Sequence, residues 1–289
     1  MSAAARVRLG AVGYLNARPL VYGLEGSARF DVRYDVPSEC ARLLHAHAID
    51  VGLIPSIEYL RGSRPYEIVP GPAVASHGPV ASVALYTTRK IADVRSIALD
   101  TTSRTSVALV NVLCARLFKI RPRFESHGPD LGAMLTRCDA ALLIGDVALF
   151  VDHGKSTVDS QQSTVVDSQQ STVEKIDLGA AWKALTGLPF VYAFWAGWSH
   201  AITPADAEAL QRARDEGMAH VGDIARACLP DRPEHQAVAS RYLRDNIRYF
   251  LGPAEIEGLN TFYQYASELG LVSYEGPLKF YHAEHAGAG

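Results

Sequence analysis

The sequence predicts an α/β protein of two lobes, in which both ends of the chain contribute to the first lobe. Strand and helix patterns alternate in two successive units along the first half of the chain, and helix patterns alone follow after residue 203. Two apolar segments flank the second unit. Alternation of this kind is typical of a mostly parallel sheet with helices on its faces.

Three short strands make up the first unit, and a helix pattern follows each of them. Short apolar runs and period-two alternation predict the strands. The first helix begins near Ala17, the second follows Pro37 with Ser38 as its expected N-cap, and the third begins at Pro55. The predicted strands are Val7 to Val12, Phe30 to Val36 and Asp50 to Ile54.

The second unit repeats this order. Its main helix covers Thr105 to Phe118, where Val107, Val110 and Leu113 recur at helical spacing. The other predicted elements are strands over Ser96 to Leu99, Arg123 to Glu125 and Ala140 to Ile144, a helix over Asp130 to Arg137, and later helices over 204–228, 233–245 and 253–269.

The apolar segments Pro79 to Thr87 and Pro189 to Trp198 suit strands that cross from one lobe to the other and back. We therefore expect residues 1–86 and 196–289 to form the first lobe and residues 87–195 the second. A single continuous sheet is the alternative that the pattern leaves open. A Ser- and Gln-rich repeat at 156–173 is too polar for a core, so we expect a surface excursion without chemistry there.

The composition disfavours several classes of function. The 289 residues are 48% apolar and 20% charged, which is ordinary for a globular protein. A net charge of −3 offers no basic surplus for nucleic acid. No run approaches the roughly 18 apolar residues that span a bilayer, and no signal-peptide pattern is seen. We therefore expect a cytoplasmic protein without nucleic-acid or membrane partners.

The four cysteines lie far apart without a C-x-x-C pair, which indicates buried thiols. His45 with His47, and His282 with His285, have spacings that suit a metal, but no cysteine or carboxylate cluster supports either pair. We therefore expect no metal site. The oligomeric state cannot be read from the pattern.

Polar or small residues follow several predicted strands. In open α/β sheets, ligands bind beyond the carboxyl ends of the strands, so two facing lobes would place these loops around one cleft. The segments concerned are 14–16, 55–56, 101–106 and 145–146.

Segment 101–106 carries five hydroxyl side chains and one arginine, and it leads into a long helix. A helix N-terminus attracts carboxylate or phosphate. Since the chain has neither a Walker sequence nor a G-x-G-x-x-G motif, carboxylate is favoured. A single N-cap is the simpler explanation, but it accounts for only one of the hydroxyls.

Two further polar residues allow more than one interpretation. Asn16 lies just beyond its strand and can donate and accept hydrogen bonds at once, although a turn asparagine without function is also common. Asp146 is equally consistent with a helix cap. Asp50 and Glu58 are interpreted as solvated or capping charges.

Taken together, these motifs resemble the chorismate dehydratase family, and the resemblance covers nearly the whole chain. The motifs that carry it are GYLNARPL at 13–20, VGLIPSIEY at 51–59, LDTTSRTS at 99–106, LIGD at 143–146, DLG at 177–179 followed by Trp182, and LTGLPFV at 185–191.

The resemblance implies a type II periplasmic-binding-protein-like fold and a reaction. Chorismate, a dicarboxylate, would lose water to give 3-[(1-carboxyvinyl)oxy]benzoate in the futalosine route to menaquinone, with no metal or organic cofactor. A solute-binding protein for a small carboxylate and the sister 1,4-dihydroxy-6-naphthoate synthase share the architecture and remain alternatives, because a fold alone does not define a function.

The resemblance also implies roles for individual residues. Asn16 is the expected catalytic residue, and a substrate carboxylate is expected at the helix start at 103–106. The substrate's own side-chain carboxylate is expected to assist proton removal, and Asp146 is the alternative group for that role. The expected substrate-binding residues are Tyr14, Ser56, Ser82, Thr102, Ser103, Thr105, Ser106, Gly145 and Asp146.

Overall fold

The computed structural model describes residues 6–151 and 173–281. Its strands are β1 (Val7–Val12), β2 (Phe30–Asp35), β3 (Val51–Pro55), β4 (Tyr66–Ser76), β5 (Val83–Thr87), β6 (Ser96–Asp100), β7 (Arg123–His127), β8 (Ala140–Ile144), β9 (Glu174–Asp177), β10 (Phe190–Trp198) and β11 (Arg248–Phe250). Its α-helices are α1 (Pro37–His45), α2 (Arg104–Leu113), α3 (Leu131–Arg137), α4 (Gly145–Phe150), α5 (Leu178–Thr186), α6 (Pro204–Ala219), α7 (Val221–Cys228), α8 (Pro233–Arg241) and α9 (Pro253–Glu268).

The strands of the described chain form two separate sheets. One has the order β11-β4-β10-β3-β1-β2 and the other β7-β6-β8-β5-β9. In each sheet the strands of the alternating unit pair in parallel: β1 with β2 and β3, and β6 with β7 and β8. The single continuous sheet that the pattern left open is therefore wrong.

The chain passes between the sheets through two short segments, 77–82 and 187–189. Each apolar segment predicted to cross begins in one of these segments and continues as a strand. β5 lies wholly in the second sheet, paired with β8 and β9, whereas β10 lies wholly in the first, between β3 and β4. The expected lobe boundaries after residues 86 and 195 therefore fall inside strands, because apolar composition does not reveal which partners a strand pairs with.

Several local predictions are corrected. The helix near Ala17 is a short 3-10 helix over Leu15–Val21. Ser38 is not an N-cap, because Val36 holds that position and the Ser38 N–H donates to the Thr102 carbonyl oxygen at 3.1 Å. The helix predicted over 204–228 is two helices that meet at His220.

Other features agree with the sequence. β3 is buried along its whole length, as its continuous apolar run indicates. Cys40, Cys114 and Cys138 are buried free thiols, and Cys228 is half-buried. No helix of the described chain is long and apolar enough to cross a membrane. The repeat at 156–173, except Val173, lies outside the described residues, as do His282 and His285.

Candidate active site

A cavity of about 50 Å³ lies where the two sheets face each other. Its volume is well below the roughly 300–1,000 Å³ range of small-molecule sites. Most of its wall is apolar, with contributions from β1, β3, β4, β5, β8 and β10. The predicted site residues that line it are Tyr14, Asn16, Ser103, Ser106 and Gly145.

The start of α2 presents two hydroxyls to this cavity. Ser103 is the N-cap, and its Oγ accepts from the Ser106 N–H at 3.4 Å and lies 2.9 Å from the Ser106 Oγ. Thr105 faces another way, since its Oγ1 accepts from the Ile57 N–H at 3.2 Å. The helix start therefore combines the N-terminal end of the dipole with the hydroxyls of Ser103 and Ser106.

Tyr14 and Gly145 form another wall of the cavity. The Tyr14 hydroxyl lies 3.2 Å from Thr102 Oγ1, which itself donates to Asp100 Oδ1 at 2.7 Å. Gly145 has φ +66°, and a Cβ there would lie 3.2 Å from the Tyr14 ring. Burial raises the pKa of Tyr14, so the phenol is neutral near pH 7. Thr102 holds Tyr14 and does not itself line the cavity.

Asp146 does not line the cavity either. Its carboxylate accepts from the Leu15 N–H, at 3.1 Å to Oδ1. Burial raises its pKa, although the Leu15 N–H and the charge of Arg18 oppose that shift. The side chain therefore connects α4 in the second lobe to the segment that follows β1 in the first.

Ser56 and Ser82 are buried and are used by other parts of the chain. Ser56 Oγ donates to the Val191 carbonyl oxygen at 2.8 Å. Ser82 Oγ lies 2.6 Å from the Tyr242 hydroxyl, and the Ser82 carbonyl oxygen accepts from the Gly145 N–H at 2.8 Å. Neither serine lines the cavity; both form hydrogen bonds with residues beside it.

The sequence analysis missed Tyr192 and Tyr242. Tyr192 on β10 lines the cavity, and its hydroxyl lies 3.2 Å from Ser76 Oγ. Tyr242 is buried, and its hydroxyl lies 2.6 Å from Ser82 Oγ. Tyr192 stands in an apolar run and Tyr242 in a helical one, so no local signal separates either from an ordinary core residue.

Glu58 is fully buried, so its interpretation as a solvated or capping charge is wrong. Arg61, Arg104 and His45 each bind its carboxylate, at 2.8, 3.0 and 3.0 Å. Burial alone would raise the pKa of Glu58, but the hydrogen bonds and positive charges around it lower that pKa. Since Arg104 is the first residue of α2, this ion pair holds the helix start against the first lobe.

The part of the chain that the structure describes holds no group of three or more His, Cys, Asp or Glu side chains placed to bind a metal ion. His45 instead contacts Glu58 and the Tyr66 hydroxyl.

Solved structures place the fold among periplasmic-binding-protein-like proteins, as predicted. A protein from Archaeoglobus fulgidus superposes with a TM-score of 0.69 at 16% identity, covering 92% of this chain and 98% of its own. The periplasmic aliphatic sulphonate binding protein from Escherichia coli gives a TM-score of 0.62 at 15% identity, with coverage of 94% and 95%. At these identities the likeness shows the fold alone.

Sequence comparison then identifies the family. The family model for menaquinone biosynthesis matches residues 7–268. A chorismate dehydratase from Thermus thermophilus is 33% identical over 266 residues, which is 91% of this chain and 95% of that protein. The chain therefore belongs to the menaquinone biosynthesis family. It is an enzyme, of the hydro-lyase class, and the resemblance noted from its motifs is confirmed.

Proposed function

We propose that this protein is a chorismate dehydratase, which converts chorismate to 3-[(1-carboxyvinyl)oxy]benzoate and water in the futalosine route to menaquinone. The observation that carries the proposal is the cavity in which Asn16, Tyr14 and the start of α2 converge. The similarity to the chorismate dehydratase of Thermus thermophilus supports the choice of substrate.

The start of α2 suits one carboxylate of the substrate. Ser103 and Ser106 offer hydroxyl donors beside the N-terminal end of the helix dipole, which stabilises an anion. Because the protein carries a net charge of −3, the dianionic substrate must be held by such local donors and not by the overall field.

The reaction itself needs little acid–base chemistry from the protein. The C3–H bond breaks and its electrons form the new ring double bond, while the C4–O bond breaks; the departing hydroxyl takes up a proton, in net the one removed from C3, and leaves as water. Aromatisation of the ring drives the step. The enzyme therefore mainly has to orient the substrate and stabilise the departing oxygen, a role that suits the Asn16 amide.

The base that takes the C3 proton is, in this proposal, the substrate's own side-chain carboxylate. No Asp or Glu is among the cavity-lining residues that the structure describes. Asp146, the reserve candidate, accepts the Leu15 N–H instead. Both observations favour a base brought by the substrate.

The test is to incubate the purified protein with chorismate and follow the aromatic product by ultraviolet absorbance and mass. Asn16→Ala should lower kcat by about 100-fold or more, the size expected for loss of a donor to a developing charge. Asn111→Ala is the matched control, because that amide donates to Val107 within α2, outside the cavity lining. Circular dichroism checks that both variants fold.

Two outcomes would contradict the proposal. Tight chorismate binding without any product would favour a solute-binding protein. Near-normal turnover in Asn16→Ala would remove Asn16 from the mechanism.

A further inference from the structure

The chain enters β5 through a tight turn at 80–82. The Ser82 N–H donates to the Val80 carbonyl oxygen at 2.8 Å, and Ala81 between them has φ +65°. A turn that is closed between residues i and i+2 around a positive φ is rare and strained. Because its central residue is not glycine, the turn keeps this conformation only where the surrounding structure holds it.

Two side chains of β9 bind the turn at 80–82. The Asp177 carboxylate accepts from the Ala81 N–H at 2.7 Å, and from the Val80 N–H at 3.0 Å to each oxygen. Lys175 Nζ donates to the Ala81 carbonyl oxygen at 2.9 Å. Hydrogen bonds to charged groups are stronger than those between neutral groups. One strand therefore supplies a carboxylate for the N–H groups of the turn and an ammonium for its central carbonyl oxygen.

The turn at 80–82 also fixes two residues of the cavity wall. Val80 is fully buried and lines the cavity. The Ser82 carbonyl oxygen accepts from the N–H of Gly145, which lines the cavity as well. Every backbone N–H and carbonyl group of 80–82 thus has a partner. Val80 and Gly145 are therefore held as one wall that belongs to the second lobe.

We propose that Asp177 is a positioning residue. Its carboxylate holds the turn at 80–82 in the left-handed conformation, and the turn sets the places of Val80 and Gly145 in the cavity wall. The link to turnover rests on the proposed function; the link to the turn does not. The same carboxylate also caps α5, since its Oδ1 accepts from the Ala180 N–H at 3.0 Å.

The activity test exchanges the carboxylate for an amide. In Asp177→Asn, Oδ1 can still cap α5, but Nδ2 then faces the N–H groups of the turn, donor against donor. We expect kcat/KM for chorismate to fall about tenfold, because the cavity wall shifts. Asp130→Asn is the matched control: Asp130 caps α3 through the Ala133 N–H at 2.9 Å and does not line the cavity. Its kcat/KM should equal that of the wild type.

A double variant separates positioning from the capping of α5. Ala81→Gly allows the left-handed conformation without strain, so the turn depends less on Asp177. In the Asp177→Asn background, Ala81→Gly should raise kcat/KM by about threefold or more, whereas alone it should change kcat/KM by less than about twofold. Wild-type kcat/KM in Asp177→Asn, or the same loss with and without Ala81→Gly, would overturn the inference.

A structural test does not depend on the reaction. Hydrogen exchange followed by mass spectrometry should show the amides of 80–82 exchanging about tenfold faster in Asp177→Asn, while those of α5 stay protected. Asp130→Asn should leave the exchange at 80–82 unchanged. Wild-type exchange at 80–82 in Asp177→Asn refutes the inference, whereas a wild type that binds chorismate without product refutes only the proposed function.

Discussion

At the residue scale, Gly145 shows how one backbone conformation shapes the cavity wall. Its φ of +66° lies in the left-handed region, which L side chains rarely adopt. Its N–H donates to the Ser82 carbonyl oxygen, and its missing side chain leaves room for the Tyr14 ring. Glycine therefore suits this position for two reasons: it adopts the left-handed backbone conformation without strain, and it has no side chain to collide with the Tyr14 ring.

Gly145→Ala should lower both stability and activity. Left-handed strain costs about 1 kcal/mol, which shifts Tm by a few degrees, and displacement of Tyr14 should lower kcat/KM by about tenfold. Gly187→Ala is the control, because Gly187 has φ +76° but nothing within 4 Å of its Cβ position. Thermal unfolding and kinetics of both variants check this. Equal kcat/KM in the two variants would contradict a role for Gly145 in shaping the cavity.

At the element scale, the start of α6 is held by a buried ion pair. The Thr203 and Asp206 side chains form a capping box, and Arg29 binds both Asp206 oxygens at 2.7 Å. Asp206 is only 4% exposed. Arg29, together with Thr203, lowers the pKa of Asp206 from 3.8 to about 2. This one carboxylate thus joins a helix of the C-terminal region to the loop before β2.

The pH dependence of stability follows from that shift. Because the pKa of Asp206 is lower in the folded state, its stabilisation is complete above about pH 4 and is lost as the pH falls toward 2. Asp206→Asn should therefore lower the unfolding free energy by about 1 to 2 kcal/mol at pH 7, and by less at pH 3. Asp223→Asn, in an exposed pair with Arg226, should leave stability unchanged. Denaturant titrations at pH 7 and pH 3 measure the unfolding free energies of the wild type and both variants. If the difference between the wild type and Asp206→Asn were larger at pH 3 than at pH 7, the lowered pKa of Asp206 would be contradicted.

At the scale of the whole molecule, the cavity depends on contacts between the lobes. Arg104 binds Glu58, Asp146 accepts from the Leu15 N–H, and Thr105 accepts from the Ile57 N–H. Each contact joins the segment after a strand in one lobe to the corresponding segment in the other. We expect the lobes to close on a ligand by hinge motion at 77–82 and 187–189.

Arg104→Met tests that closure. Glu58 would keep Arg61 and His45, so the buried carboxylate would stay paired and the loss of stability should be about 1 kcal/mol or less. Closure should weaken, so KM for chorismate should rise about three- to tenfold. Arg42→Met is the control, since Arg42 pairs with Glu39 within α1. An unchanged KM, with no product-induced compaction in X-ray scattering of the wild type, would contradict the closure.

Part of this architecture was predictable from local patterns. β1, β3 and β8 match their predicted positions within a residue or so, because short apolar runs between turn residues are typical of buried strands. β4 was not predicted. Pro70, Gly71 and Pro72 interrupt its pattern, and only pairing with β10 and β11 makes it a strand.

Some residues of the candidate site were also predictable from local patterns, and others were not. Tyr14, Asn16 and Gly145 line the cavity because they directly follow strands, as the order of elements indicates. Ser56 and Ser82 stand in similar contexts, yet their hydroxyls are used by Val191 and Tyr242, which lie 135 and 160 positions further along the chain.

The sequence by itself therefore determined the alternation of elements and the loops that face the cleft, because periodicity and strand ends are local properties. Only the tertiary structure decided which sheet β5 and β10 join, that Glu58 is buried, and that the Tyr242 hydroxyl contacts Ser82. A buried polar group takes its hydrogen-bond partner from whatever segment the fold brings beside it, and that segment is set by packing across the whole chain.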